Sequence, residues 1–394
     1  MSILAALQAK VDAVDSSTSM SEILKLMYTV KDHPYKSVYD SAGVMPLDSA
    51  SIGSIRYADN RNAMYMLVGV DSGWKLIDSD ASTAVSTSQG YQGDTYGFHS
   101  GGYNPGDAPN PGSSTPQSVY NIIDRYAFAS ATNATDYGDL TVGRGSYLAG
   151  CTENDNYGYA GGGYAPPGNT NIIDRFPYAS AANAVDVGDL SHSGYGKAGC
   201  SSTTHGYAIG GTPAVEVIDK FPFAASANAS DIGDFASSSR YYLMSASSST
   251  TAYAVGGNGH QSIEKVPFAS DGSMTNITGL TLLVPTYSAS ANSSETHGYT
   301  AGGYQGSPTQ INTIQKFPFA AEDATSDVGD MTRTTANQAG SNSTTHGYAH
   351  GGQDPPGVVN NIEKWSYSAD GNATDVGDLS TPTSWYSAQG GIQV

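Results

Sequence analysis

From residue 96 onward the chain alternates short apolar–polar runs with clusters of Gly, Asn, Asp and Ser. The same sequence of segments returns six times. Each copy opens on an aromatic run ending in a glycine doublet: YGFHSGG (96–102), YGYAGGG (157–163), HGYAIGG (205–211), AYAVGG (252–257), HGYTAGG (297–303) and HGYAHGG (346–352). An alternating segment follows: NIIDRYAF (121–128), NIIDRFPY (171–178), EVIDKFPF (216–223), SIEKVPF (262–268), TIQKFPF (313–319) and NIEKWSY (361–367). A third closes the unit: DYGDL (136–140), DVGDL (186–190), DIGDF (231–235), a degraded NITGL (276–280), DVGDM (327–331) and DVGDL (375–379). Alternation with period two, bounded by turn residues, predicts short strands, four to a copy.

The last glycines of the doublets fall at 102, 163, 211, 257, 303 and 352, so the copies are 61, 48, 46, 46 and 49 residues apart. Repeats of this length with four strands each predict propeller blades, which bury their faces only by stacking around an axis. In the F-P-F segments the proline lacks a backbone donor, which suits a strand edge or end. The expected fold is mainly β, with a six-bladed propeller over 81–394. Ring closure has two candidates. Residues 383–392 resemble the first strand of a blade but have no blade after them, so they can complete the first one. Alternatively, 82–92 supplies that strand.

Residues 1–80 carry none of the repeat. Leu4, Leu7, Val11 and Val14 follow the spacing of one helix face, and Ser19 with Glu22 predicts a capping box for a second helix over 20–31. These helices make 1–35 an expected anchor or oligomerisation segment. They pack either on the rest of the chain or on copies of themselves. Within 36–80, residues 51–78 predict a three-stranded meander with turns at 60–62 and 71–73.

Composition narrows the function. The 394 residues carry 17 basic and 36 acidic side chains, a formal charge of −19, which removes most of the attraction that nucleic-acid binding needs. No apolar run is long enough to predict a membrane span. The N-terminus lacks a basic flank before its apolar stretch, so no signal peptide is expected and the chain is made in a cytoplasm. Cys151 and Cys200 are too few for a disulfide framework or a thiolate metal site.

Three sets of residues invite chemistry. The aspartates paired three apart (Asp136/Asp139, Asp186/Asp189, Asp231/Asp234, Asp327/Asp330, Asp375/Asp378) suit either calcium or turn formation; their appearance in nearly every copy favours turns. His205, His297 and His346 share one repeat position and are read as strand residues, as are His99 and His350 beside their doublets. No nucleophile elbow, phosphate loop or zinc spacing is present. The expectation is therefore a non-enzyme without metal or cofactor. Binding is expected on the loops after the doublets, where the copies differ most. The candidate ligand residues are Tyr103 with Asn104, Tyr164 and Tyr304, whose rings suit stacking on sugar faces.

The order of small-residue strand, aromatic-Gly-Gly strand and I-D-x-F strand resembles the kelch repeat, for example at Tyr207, Gly210 and Gly211. Phe128, Tyr178, Phe223, Phe268, Phe319 and Tyr367 stand where kelch units usually carry Trp. The stretch 38–78 and the N-I-I-D-R-F…D-V-G-D-L repeats are similar to structural proteins of bacteriophages, particularly those of marine cyanobacteria. This resemblance implies a virion protein, such as a tail fibre, displaying a kelch-like propeller for attachment to a host-envelope glycan or protein. It also implies partners among other virion proteins through the N-terminal region and a homo-oligomer, with a trimer favoured. Two alternatives are a purely structural decoration or connector protein and a polysaccharide-degrading enzyme on a propeller.

Overall fold

The computed structural model describes residues 55–58, 63–69, 73–77, 93–104, 118–145, 149–153, 156–213, 215–381 and 392–393. Two units divide the chain, Met1–Thr87 and Ser88–Val394. In the first, strands Ile55–Ala58, Ala63–Gly69 and Gly73–Ile77 form an antiparallel meander with Ile55 opposite Met66 and Met64 opposite Ile77. The helices expected over 1–35 lie outside the described residues.

The second unit is a six-bladed β-propeller of four-stranded antiparallel sheets. Blade 2 runs Ala149–Glu153, Tyr157–Gly161, Ile172–Pro177 and Val185–Asp189. Blade 3 runs Ala198–Ser201, His205–Ile209, Ile218–Pro222 and Ser230–Asp231. Blade 4 runs Met244–Ser247, Thr251–Val255, Ser262–Pro267 and Thr275–Thr281; blade 5 runs Ser290–Ser293, His297–Ala301, Thr313–Pro318 and Ser326–Asp330. Blade 6 runs Ala339–Asn342, His346–His350, Asn361–Ser366 and Thr374–Asp378. The second strands are buried along almost their whole length, because a neighbouring blade covers each face. Pro177, Pro222, Pro267 and Pro318 end their third strands, where a missing donor costs little.

Blade 1 is assembled from both ends of the propeller. Its strands Tyr96–Ser100, Ile122–Ala127 and Thr135–Asp139 are joined by Ile392–Gln393, which pairs Ile392 with Phe98 and Gln393 with Gly97. The C-terminal strand therefore closes the ring, at the far end of the expected 383–392 span. The rival stretch 82–92 lies outside the described residues. Gly93, just after it, bridges to Ser343 of blade 6. Each innermost strand neighbours the next around the axis, and Ile392–Gln393 sits between those of blades 6 and 2.

Three fasteners recur at the blade interfaces. In the first, the last aromatic of the F-P-F segment packs on the second-strand aromatic of the preceding blade. Tyr178 meets Phe98, Phe223 Tyr159, Phe268 Tyr207, Phe319 Tyr253, Tyr367 Tyr299 and Phe128 Tyr348, with centroids 4.7–5.0 Å apart. The second is the acid of the I-D segment, which is buried and accepts hydrogen bonds from the connector entering its blade. Thr141 N and Oγ1 donate to Asp174, Ser191 N to Asp219, Ala236 N to Glu264, Thr332 N to Glu363 and Ser380 N to Asp124. Gln315 takes the same place in blade 5, accepting from Val284 N.

The third fastener is at the rim. The paired aspartates organise turns: the carboxylates of Asp136, Asp186, Asp231, Asp327 and Asp375 accept from the glycine N–H two residues on, at 3.0–3.2 Å. The second aspartate of each pair lends its backbone. Asp139 N donates to Asn183 of blade 2 and Asp378 N to Asn133 of blade 1, while Asp139 O accepts from Ala184 N. Asn183→Ala should therefore cost about 1 kcal/mol, the usual net worth of one such bond. Thermal melting checks this; an unchanged midpoint would remove the rim bonds from the list of fasteners.

Candidate ligand-binding face

The glycine doublets end the second strands on one face of the disk. Gly101 (φ 70°) and Gly102 (φ 120°) adopt backbone that a side chain resists, and Gly102 N reaches Arg144 O of the connector leaving the blade, at 3.0 Å. In blades 1, 2, 5 and 6 a two-stranded ribbon follows: Tyr103–Asn104 with Ser118–Val119, Tyr164–Ala165 with Gly168–Asn169, Tyr304–Gly306 with Thr309–Gln310, and Gln353–Asp354 with Gly357–Val358. In blade 3, among the described residues, Thr212 bridges to Tyr195 in place of a ribbon.

Inside these ribbons, residues just ahead of the innermost strands form a collar. Gly196, Tyr242, Ser288 and Asn337 occupy one repeat position, and all have left-handed backbone, with φ of 71°, 55°, 62° and 63°. That conformation lets each bond to the next: Tyr242 N donates to Gly196 O, Ser288 N to Tyr242 O and Asn337 N to Ser288 O, at 2.9, 2.9 and 2.7 Å. The backbone thus runs hydrogen-bonded from blade 3 to blade 6 around the axial mouth.

On this collar the tyrosines come together. Tyr195, Tyr241 and Tyr287 stand one residue before the left-handed position in blades 3, 4 and 5. The ring of Tyr164 lies 6.4 Å from Tyr195, Tyr195 6.2 Å from Tyr242, Tyr242 5.0 Å from Tyr241, and Tyr287 stacks on Tyr304 at 5.3 Å. All six are half-buried. Burial, and to a lesser degree the neighbouring phenols of Tyr304 and Tyr241, raises the pKa of Tyr287 and so keeps its hydroxyl protonated. Neutral amides complete the arc. Tyr304 Oη donates to Gln353 Oε1 at 2.9 Å, Asn337 Nδ2 donates to the same oxygen at 3.2 Å, and Asn258 donates to the Tyr241 hydroxyl.

Of the sequence candidates, Tyr164 and Tyr304 join this arc. Tyr103 and Asn104 begin the blade 1 ribbon, with Tyr103 half-buried opposite Val119 and Asn104 buried. Tyr195, Tyr241, Tyr242 and Tyr287 were not among the candidates. Their signal was a Tyr three residues before the small-residue strand in three successive blades.

Elsewhere the candidate chemistry is structural. His205, His297 and His346 lie at the opposite ends of their strands from the doublets, each with Nδ1 2.8 Å from the hydroxyl of the preceding Thr. The hairpin turn there is held by Ser202, Ser294 and Ser343, whose hydroxyls accept from the histidine N–H. Cys151 and Cys200 are buried thiols on adjacent inner strands; burial pushes Cys151 up to about 12, against the thiolate. Among the described residues no group of three or more His, Cys, Asp or Glu is placed to hold a metal ion. The chain matches no protein-family model and no curated protein.

Proposed function

We propose that this chain is a non-enzymatic structural protein of a bacteriophage virion, a tail fibre or similar appendage, that presents its propeller for recognition of the host surface. The observation that carries the reading is the tyrosine arc. Rigid, half-exposed rings with neutral amides between them lie on the one face from which the ribbons leave, and the ring beneath is fastened at every interface. A surface of this kind recognises by stacking and hydrogen bonding. The N-terminal 1–35 assembles the chain, so that several weak sites act together through tethering.

The test uses the full chain, fluorescently labelled, incubated with a panel of marine bacteria that includes cyanobacteria. Saturable adsorption to some strains and not others is expected, together with a trimeric mass by light scattering. Adsorption to none of them, with incorporation into particles intact, would move the protein to the decoration or connector class.

A further inference from the structure

The arc also specifies the chemistry of what it holds. We infer that it binds a neutral pyranosyl chain and rejects acidic sugars; this rests on the attachment reading and deepens it. Aromatic rings accept the C–H faces of pyranose rings, and the arc offers them in sequence from blade 2 to blade 5 rather than as one isolated platform. An extended oligosaccharide fits that layout better than a single sugar.

The polar atoms along the arc are phenol hydroxyls and the side-chain amides of Asn258, Gln310, Asn337 and Gln353, which serve sugar hydroxyls in both directions. A carboxylate-bearing sugar would instead require a cation. The cations of the neighbouring connectors are each committed to a partner, and three of the four are buried. Arg144 is fully buried against Asp174, with 3.0 Å between Nη2 and the carboxylate, and Arg240 is fully buried against Glu264. Lys197, 1% exposed, donates to Gly210 O. Arg333, beside the blade 6 ribbon, is half-exposed, but its charge is offset by Asp354 at 3.3 Å. A formal charge of −19 adds long-range repulsion of any polyanion.

The experiment is calorimetric titration of the full chain with neutral hexasaccharides (a β-glucan, an α-glucan and a galactan) and with a hexauronate of equal length. At least one neutral chain should bind, and the hexauronate at least tenfold more weakly. Tyr195→Ala and Tyr287→Ala should each weaken the neutral ligand about tenfold or more. Tyr195→Phe, which keeps the ring, should retain most of the binding, and an unchanged melting midpoint shows that folding is intact.

Equal or tighter binding of the hexauronate would overturn the proposal. So would neutral binding indifferent to both alanine variants, or no binding of any neutral chain at 10 mM, roughly ten times the Kd at about −4 kcal/mol. Cell adsorption separates the two readings. Adsorption that survives both alanine variants defeats the arc and spares attachment, whereas glycan binding without adsorption defeats attachment and spares the arc.

Discussion

Gly206→Ala should destabilise the propeller by about 3 kcal/mol, at the upper end for an overpacked core. Gly206 lies directly opposite Phe221 on the neighbouring strand, and the ring folds back over the glycine, so that a Cβ there would run into the ring atoms. The backbone at Gly206 is ordinary; only the close approach demands glycine. The same pairing recurs as Gly298 with Phe317 and Gly347 with Trp365. Blade 4 departs from it on both sides at once: Ala252 stands in the glycine position and Val266 in the aromatic position, directly opposite each other.

That natural exchange predicts coupling. Phe221→Val alone should open a cavity and cost about 2 kcal/mol. Gly206→Ala with Phe221→Val should cost less than the two separately by about 2 kcal/mol, because the new methyl occupies space the ring has vacated. Urea unfolding of the wild type, both single variants and the double variant closes the cycle. Additive losses would mean that the blade 4 exchange is not a packing compensation.

How far the sequence carried depended on the range of each interaction. The glycine doublets, the proline-ended strands and the aspartate turns are local devices, so their residues announced the blades, while the closing strand stayed one of two candidates. The acid of the I-D segment read only as one polar position in an alternating strand. Its meaning depends on the connector that enters its blade, as when Thr141 donates to Asp174 from a segment 33 residues earlier. The aromatics in the kelch tryptophan position gave no hint that each packs on the preceding blade. The collar was hidden for the same reason. Left-handed residues as different as Gly196, Tyr242, Ser288 and Asn337 share a conformation imposed by their neighbours around the axis, so the tyrosines beside them looked like ordinary linker residues.

Acid should weaken the interface between blades 6 and 1. Between blades 6 and 1, His350 Nδ1 lies 2.9 Å from His99 Nδ1, and both side chains are at least 97% buried. One imidazole must donate to the other, so the contact needs at least one neutral ring. Burial lowers His99 to about 3, against a smaller opposing effect of its hydrogen bond with the Gly101 backbone. Burial, then the charge of His99, holds His350 well below the ordinary histidine value. Folded values below the unfolded value mean that the unfolded chain takes up protons first. Stability from this pair is thus complete above about pH 6.5 and is lost as pH falls toward the folded values, at about 1.4 kcal/mol per pH unit for each histidine.

The groups packed around the pair do not mimic this trend. Asp124 stands opposite His99, Glu363 stands opposite Ala349 beside His350, and the rings of Tyr126 and Tyr348 complete the seam. Burial raises both carboxyls, so each gains stability as pH falls through its folded value, opposing the histidines. The difference between wild type and a His99→Ala/His350→Ala variant isolates the pair, since the carboxyls are common to both. Alanine at these positions has precedent in this chain, because Ala160 and Ala208 occupy the His99 position and Ala301 the His350 position. Between pH 6 and pH 4.5 the wild type should lose about 3–4 kcal/mol more than the variant by urea unfolding. Parallel pH profiles would show that the seam carries no acid-labile charge. The other fasteners here, Phe128 on Tyr348, Asp378 on Asn133 and Ser380 on Asp124, have counterparts at other interfaces; a buried histidine pair does not recur among the described residues.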